Sequence, residues 1–156
     1  MPDPNQAPDQ LPPCAPLLAA CGSDAFAGLA DAPNRVFVDG NASAAPKGTR
    51  AAPFATIAAA VAAVPASGEV VVASGMYAES LLIDKPLTLR GRCAFLTAIS
   101  AQASGPAVRV KGIAAQGVVV RDLSLTGASI GLYVDASATA VASNLTVVNA
   151  TGVGVA

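Results

Sequence analysis

The chain has 156 residues, enough for one domain with a hydrophobic core. Hydrophobic residues make up 53% of it, but aromatic residues only 4% and charged residues only 12%, so the core must consist mainly of Ala, Val, Leu and Ile. The net charge of −1 provides no basic surface for nucleic acid, and no apolar run approaches the roughly 18 residues of a transmembrane helix.

The three cysteines, Cys14, Cys21 and Cys93, bear on metal binding and on the cellular compartment. They form no CxxC pair and the chain has no histidine, so we predict no metal site and no cofactor. One disulfide would be typical of an exported protein, and the third cysteine would then remain outside that disulfide. Three reduced, partly buried cysteines are the alternative.

Residues 1–34 are predicted to be a Pro/Ala-rich leader or linker, because prolines interrupt every apolar run. Within it, Leu18-Ala19-Ala20-Cys21 has the pattern of a bacterial lipobox, in which the cysteine is lipidated after signal cleavage. The preceding residues lack the positive charges and the unbroken apolar stretch of a signal peptide. Two interpretations therefore stay open: a lipoprotein anchored through Cys21, and a disordered leader that a disulfide could staple.

The pattern changes at residue 35, and we assign residues 35–156 to one domain. The run 35–40 is rich in β-formers and ends in a turn signal. A short helix should begin after Thr56, a favourable N-cap, and end before Pro65. Apolar residues recur on one side of this helix, so we expect it to lie on a hydrophobic surface.

After the helix the sequence predicts only short strands. Each has roughly 4–8 residues and is bounded by Gly, Pro, Asn, Asp or Ser. Strands with this spacing are typical of an antiparallel sandwich or of a solenoid. The predicted strands are Glu69–Ser74, Ser80–Asp84, Leu87–Gly91, Thr97–Ser100, Ala107–Gly112, Val118–Leu125, Gly131–Asp135, Ala140–Val148 and Gly152–Ala156.

An internal repeat of 22 residues favours the solenoid. It places Asp122 over Asn144 and Leu123 over Leu145. In a parallel β-helix such matched residues stack about 4.8 Å apart, with the leucines in an inward ladder. The Asp and Asn side chains would then lie at corners, where left-handed backbone is required. We predict an all-β, right-handed parallel β-helix whose N-terminal end is capped by the short helix.

Four motifs follow one another in this chain: Thr56-Ile57-Ala60, Gly75-Tyr77-Glu79, Ile83-Lys85-Pro86-Leu87-Thr88-Leu89-Gly91 and Arg121-Asp122-Leu123. Their order resembles the N-terminal part of pectin methylesterases and related β-helix proteins of the pectate-lyase-like superfamily. In that family a TI-x-x-A helix precedes a G-x-Y-x-E turn, an I-x-K-P-L-T-L-x-G strand and an R-D-L strand. The resemblance covers about residues 36–135, and it implies the right-handed parallel β-helix fold.

The resemblance does not extend to the catalytic residues. Esterases of this family use two aspartates, an arginine and glutamines after the R-D-L strand, but after Leu125 this chain has no Gln, Lys or Arg, and Asp135 is its only acid. The calcium cluster and arginine base of the lyases and the paired aspartates and histidine of the hydrolases are absent too. We therefore predict no catalytic residues in this segment.

Two functions from different classes remain. The first is a non-catalytic, secreted or cell-surface β-helix that acts as a scaffold or binds a polysaccharide along its flank. The second is the N-terminal part of a polysaccharide-active enzyme, an esterase or lyase, whose catalytic coils lie beyond residue 156. Candidate ligand-binding residues are Tyr77, Tyr133, Arg121 and Asp122, although each tyrosine could equally pack against a loop and Asp122 could be only a corner residue.

The last predicted strand is followed by no helix, charged strand or proline that would cover the final coil. Solenoids need polar terminal caps, because an uncovered coil exposes backbone hydrogen-bonding groups beside apolar side chains. We therefore expect either that the β-helix is truncated at its C-terminal end or that it associates end to end through residues 140–156.

Overall fold

The computed structural model describes residues 21–43, 45–102, 104–127, 129–152 and 154–156, and it shows a β-solenoid of about three turns. The strand pairings described all run parallel, so the antiparallel sandwich is excluded. The one helix described has seven residues, too few to cross a membrane. Cys14 and residues 18–20 of the lipobox-like motif lie outside the described residues.

One helix and ten strands make up the described chain, close to the predicted pattern. The predicted strand at 152–156 is reduced to a single bridge between Val155 and Leu132. In chain order the elements are β1 Arg35–Val38, α1 Ile57–Ala63, β2 Gly68–Val72, β3 Gly75–Ala78, β4 Leu81–Ile83, β5 Leu87–Gly91, β6 Thr97–Ser100, β7 Pro106–Val110, β8 Val118–Thr126, β9 Ile130–Val134 and β10 Ala140–Val148.

The coils stack into three faces. The first face follows the order β1, β2, β5, the first half of β8 and the first half of β10. The second consists of β3, β6 and the second halves of β8 and β10, and the third of β4, β7 and β9. Because each of the three full coils supplies strands to all three faces, apolar side chains at alternate positions stack into ladders inside the solenoid.

The 22-residue repeat sets the register of the last full coil, as the sequence predicts. Leu145 pairs with Leu123, and both pack in the central core. Asp122 and Asn144 have φ angles of 57° and 48°, so both occupy the left-handed region at the corner where β8 and β10 bend. The Asn144 side-chain amide donates a hydrogen bond of 2.8 Å to Asp122 Oδ1. The prediction that these two residues form a corner in adjacent coils is confirmed.

Helix α1 covers the N-terminal end of the solenoid. It buries Ile57, Ala60 and Val61 against the core, and Thr56 is its N-cap, accepting a hydrogen bond from the Ala59 amide. The apolar side of the helix thus closes the open end of the first coil.

Two motif residues from the first coil hold the ends of α1. The Glu79 carboxylate accepts hydrogen bonds of 2.8 Å from the amides of Ile57 and Ala58 at the start of the helix. At the other end, Lys85 Nζ donates to the carbonyl oxygens of Ala62 at 3.2 Å and Val64 at 2.6 Å. An acid at the N-terminus and a base at the C-terminus both complement the helix dipole. The two motif residues therefore have a structural role.

Candidate ligand-binding site

On the first face, a ladder of outward-pointing side chains changes from apolar to cationic along the solenoid axis. Phe37, Val71, Arg90, Arg121 and Ser143 lie in register in successive coils. The first two side chains are fully buried although they point away from the central core, whereas the two arginines are partly exposed. Something outside the solenoid must therefore cover the first two positions.

Residues 21–29, which we call the strap, provide that cover. Phe26 is 5% exposed and packs in a separate apolar cluster with Phe37, Val71 and Ala73. The rings of Phe26 and Phe37 meet edge to face, with centroids 4.8 Å apart. A disulfide between Cys21 and Cys93 fixes the start of the strap to the loop after β5, so of the two alternatives left open for the cysteines the structure shows the disulfide.

An ion pair also holds the strap. Arg50 Nη2 lies 2.6 Å from Asp24 Oδ2, and the same carboxylate accepts hydrogen bonds from the amides of Phe26 and Gly28. The hydrogen bond from Arg50, followed by the two amide bonds, holds the pKa of Asp24 well below its ordinary value. The Arg50 guanidinium also lies 5.4 Å from the Phe26 ring centroid.

Between the strap, the loop after β5 and the Asp122–Asn144 corner lies a cavity of about 560 Å³, which we call the arginine pocket. Its position follows from the fold, because the strap ends where the outward ladder turns from apolar to cationic. The lining residues are Cys21, Gly22, Ser23, Asp24, Ala27, Gly28, Arg90, Arg92, Cys93, Phe95, Arg121, Asp122 and Asn144.

The carboxylate of Asp122 lies between two of the pocket arginines. Arg121 Nε donates to its Oδ2 at 2.7 Å, and Arg90 Nε lies 3.6 Å from the same oxygen. Burial by itself would raise the pKa of Asp122, but the hydrogen bonds from Asn144 and Arg121 and the charges of Arg121 and Arg90 outweigh it and lower that pKa. Asp122 is therefore an ionised partner of arginine, and it has no proton to give as a general acid.

Of the three arginines that line the pocket, Arg90 and Arg121 are paired with carboxylates, whereas Arg92 forms no ion pair within the described residues. Within the described part of the chain, the Arg92 guanidinium donates to two neutral oxygens, the Ser74 hydroxyl and the Gly22 carbonyl. Arg90 lies between two carboxylates, with its Nη1 also 3.9 Å from Glu69 Oε1, but its buried Nε, like that of Arg92, has no hydrogen-bond partner among the described residues. Asp24, the other acid of the lining, is held by Arg50. The arrangement suits an anion, since guanidinium groups bind carboxylate, sulfate and phosphate through paired N–H donors.

Of the four candidates named from the sequence, Arg121 and Asp122 line this pocket. Tyr77 is 4% exposed; its hydroxyl donates to the Ala73 carbonyl at 3.1 Å, and burial raises its pKa to about 12. Tyr133 lies on the third face with Arg109 5.4 Å from its ring centroid. The structure therefore brings together two of the four and places each tyrosine elsewhere.

Sequence reasoning missed Arg90, Arg92, Phe95 and the strap. Arg90 and Arg121 are neighbours in the ladder but 31 positions apart in the chain, so the 22-residue repeat does not align them. A register derived from each strand pair, instead of one fixed period, would have placed the two arginines together.

Asp135, the one acid after Leu125, lies outside the lining of the arginine pocket. Asp135, which follows β9 on the third face, is paired with Arg109 at 3.1 Å. In the part of the chain that the structure describes, no three His, Cys, Asp or Glu side chains come together as metal ligands would. Binding of an anion in the arginine pocket is the chemistry that the described geometry supports best.

The chain is similar to one known family over less than half of its length. Residues 38–105 match the model of a family described as "Protein of unknown function (DUF1565)". The match spans α1, both residues that hold its ends, and the strands as far as β6. No curated protein and no solved structure matches the chain. Similarity to this family, together with the β-solenoid, fits a parallel β-helix and assigns no activity.

Proposed function

We propose that this chain is a non-catalytic, extracytoplasmic β-helix segment that binds an acidic polysaccharide in the arginine pocket. The observation that carries the proposal is the convergence of Arg90, Arg92 and Arg121 on one cavity. Their guanidinium groups match the carboxylate or sulfate groups of acidic sugars. Phe95, 68% exposed at the pocket lining, offers an apolar ring surface against which a sugar could pack.

The Cys21–Cys93 disulfide supports the extracytoplasmic assignment, because disulfides persist in oxidising compartments. It also bears on the lipoprotein interpretation. A sulfur atom that is bonded to another sulfur cannot carry a lipid, so lipidation of Cys21 and the disulfide exclude one another. The mass of the protein isolated from its native compartment distinguishes the two forms.

Calorimetric titration of the protein with a polyuronate tests the proposed ligand, with a neutral polysaccharide of the same length as control. We expect binding of the polyuronate only, weakening as salt is added. Arg121→Gln and Arg92→Gln should each weaken it by about tenfold or more, since one lost charge-assisted hydrogen bond is worth about 1.5–3 kcal/mol.

Arg109→Gln on the third face is the matched control and should leave the affinity unchanged. Equal affinity for the neutral polymer, or equal loss in the Arg109→Gln variant, would contradict a specific anion site at this pocket.

End-to-end association through residues 140–156 remains a second proposal. It is favoured by two exposed valines on β10, Val141 at 59% and Val148 at 43%, on a strand without a charged residue. Sedimentation velocity over a range of concentrations tests it. Val141→Lys should shift a concentration-dependent dimer to monomer, and a wild-type protein that stays monomeric throughout rules the association out.

A further inference from the structure

The arginine pocket is closed at one end of its ladder. Along the solenoid axis, the positions that precede Arg90 on the same outward ladder are Phe37 and Val71, and both are 0% exposed beneath the strap. The positions that follow Arg90 are Arg121 and Ser143, and neither is buried. A linear ligand bound along this ladder can therefore extend from Arg90 toward Ser143, where the surface is exposed. In the opposite direction the strap covers the ladder.

The strap is firmly fixed where it blocks the ladder. Moving it aside would expose Phe26, break the Asp24–Arg50 ion pair and remove the hydrogen bond from Arg92 to the Gly22 carbonyl. The disulfide would still tie Cys21 to the pocket lining. Residues 22–28 therefore block the ladder at this end, and several of them also line the pocket.

We infer that the pocket recognises the end of an acidic polysaccharide chain and not its interior. This inference rests on the proposed function and specifies which part of the polymer binds. The terminal sugar enters the pocket against the strap, with its acidic group between Arg90, Arg92 and Arg121. The following sugars lie along the ladder toward Ser143.

Stoichiometry distinguishes recognition of a chain end from recognition of its interior. The wild-type protein is titrated with a series of oligouronates, each twice as long as the one before, and with the long polymer. We expect one protein molecule bound per chain end of one kind at every length. The affinity per chain should stop rising once the oligomer spans the exposed part of the ladder.

A number of bound protein molecules that grows in proportion to chain length would overturn end recognition while leaving the acidic ligand in place. Absence of binding to every member of the series overturns the proposed function and this inference with it. The Arg121→Gln variant, titrated with the same series, shows whether the counted molecules are bound through the pocket.

Discussion

Substitution of the leucines in the inward ladder, one at a time, tests how much each side chain contributes to the stability of the core. Leu123 is fully buried, and Leu145, its neighbour in the next coil, is half-buried. Leu123→Ala should lower the free energy of unfolding by about 2–5 kcal/mol, and Leu145→Ala by about half as much, because part of its surface is already in water. Asp135→Ala removes only a partly exposed ion pair and should cost about 1 kcal/mol or less. Chemical denaturation of the three variants measures this order, and equal losses would contradict it.

Gly91 shows how closely two coils approach at the Asp122 corner. A Cβ atom at this position would lie 2.3 Å from the Asp122 carbonyl oxygen and 2.8 Å from Leu123 Cβ. Gly91→Ala should therefore destabilise the protein by about 1–3 kcal/mol or more, since backbone and core must move apart.

Gly105 offers the control for that substitution, because no described residue other than its two chain neighbours lies within 4 Å of its Cβ position. Gly105→Ala should change the free energy of unfolding by no more than about 0.5 kcal/mol. If both alanine variants unfold at the denaturant concentration of the wild type, the close approach at Gly91 is absent in solution.

At the scale of secondary-structure elements, the charges at both ends of α1 explain why the Glu79 and Lys85 motifs accompany a helix of only seven residues. So short a helix has little stability of its own. Glu79→Ala should cost about 1–2 kcal/mol, as loss of an N-terminal cap does, and Glu79→Gln should cost less because one oxygen acceptor remains. Asp84→Ala, at an exposed neighbouring position, is the control. Thermal unfolding of the three variants compares them, and an effect of Asp84→Ala as large as that of Glu79→Ala would contradict the capping role.

The strap should respond to acid. The pKa of Asp24 is lowered in the folded protein, so the ionised carboxylate stabilises the docked strap above its ordinary pKa of 3.8, and this stabilisation is lost as the pH falls below that value. We expect the NMR signals of the Phe26 ring to broaden or shift as the pH is lowered from about 6 to about 2. In Asp24→Asn the strap should be loosened at every pH, without this dependence. A Phe26 signal that is insensitive to pH in the wild type would argue against an ionic anchor.

At the scale of the whole molecule, the disulfide joins residues 72 positions apart and so encloses the cap helix and the first coil in one covalent loop. Cross-linking a loop of this length restricts the unfolded chain, and its removal should lower the free energy of unfolding by about 2–5 kcal/mol. The Cys21→Ser, Cys93→Ser double variant measures this by chemical denaturation. Cys14→Ser is the control and should leave stability unchanged. A loss shared equally by the control would mean that a different pair of cysteines is linked in solution.

The sequence by itself determined the fold class, the cap helix and the register of the last full coil. These features depend on local patterns: the apolar alternation of each strand, the cap at Thr56, and a 22-residue repeat that aligns Asp122 with Asn144. Since stacked coils bring like residues together, a local repeat is enough to fix neighbours along a solenoid.

Only the tertiary structure decided where a ligand could bind. Arg90 and Arg121 become neighbours because the loops between their strands differ in length from those of the next coil, and a fixed period cannot express this. The strap packs Phe26 on Phe37 and joins Cys21 to Cys93, contacts across long sequence separations that no periodic pattern records. The coils of the solenoid follow from the local repeat, whereas the pocket depends on distant segments that meet only once the chain is folded.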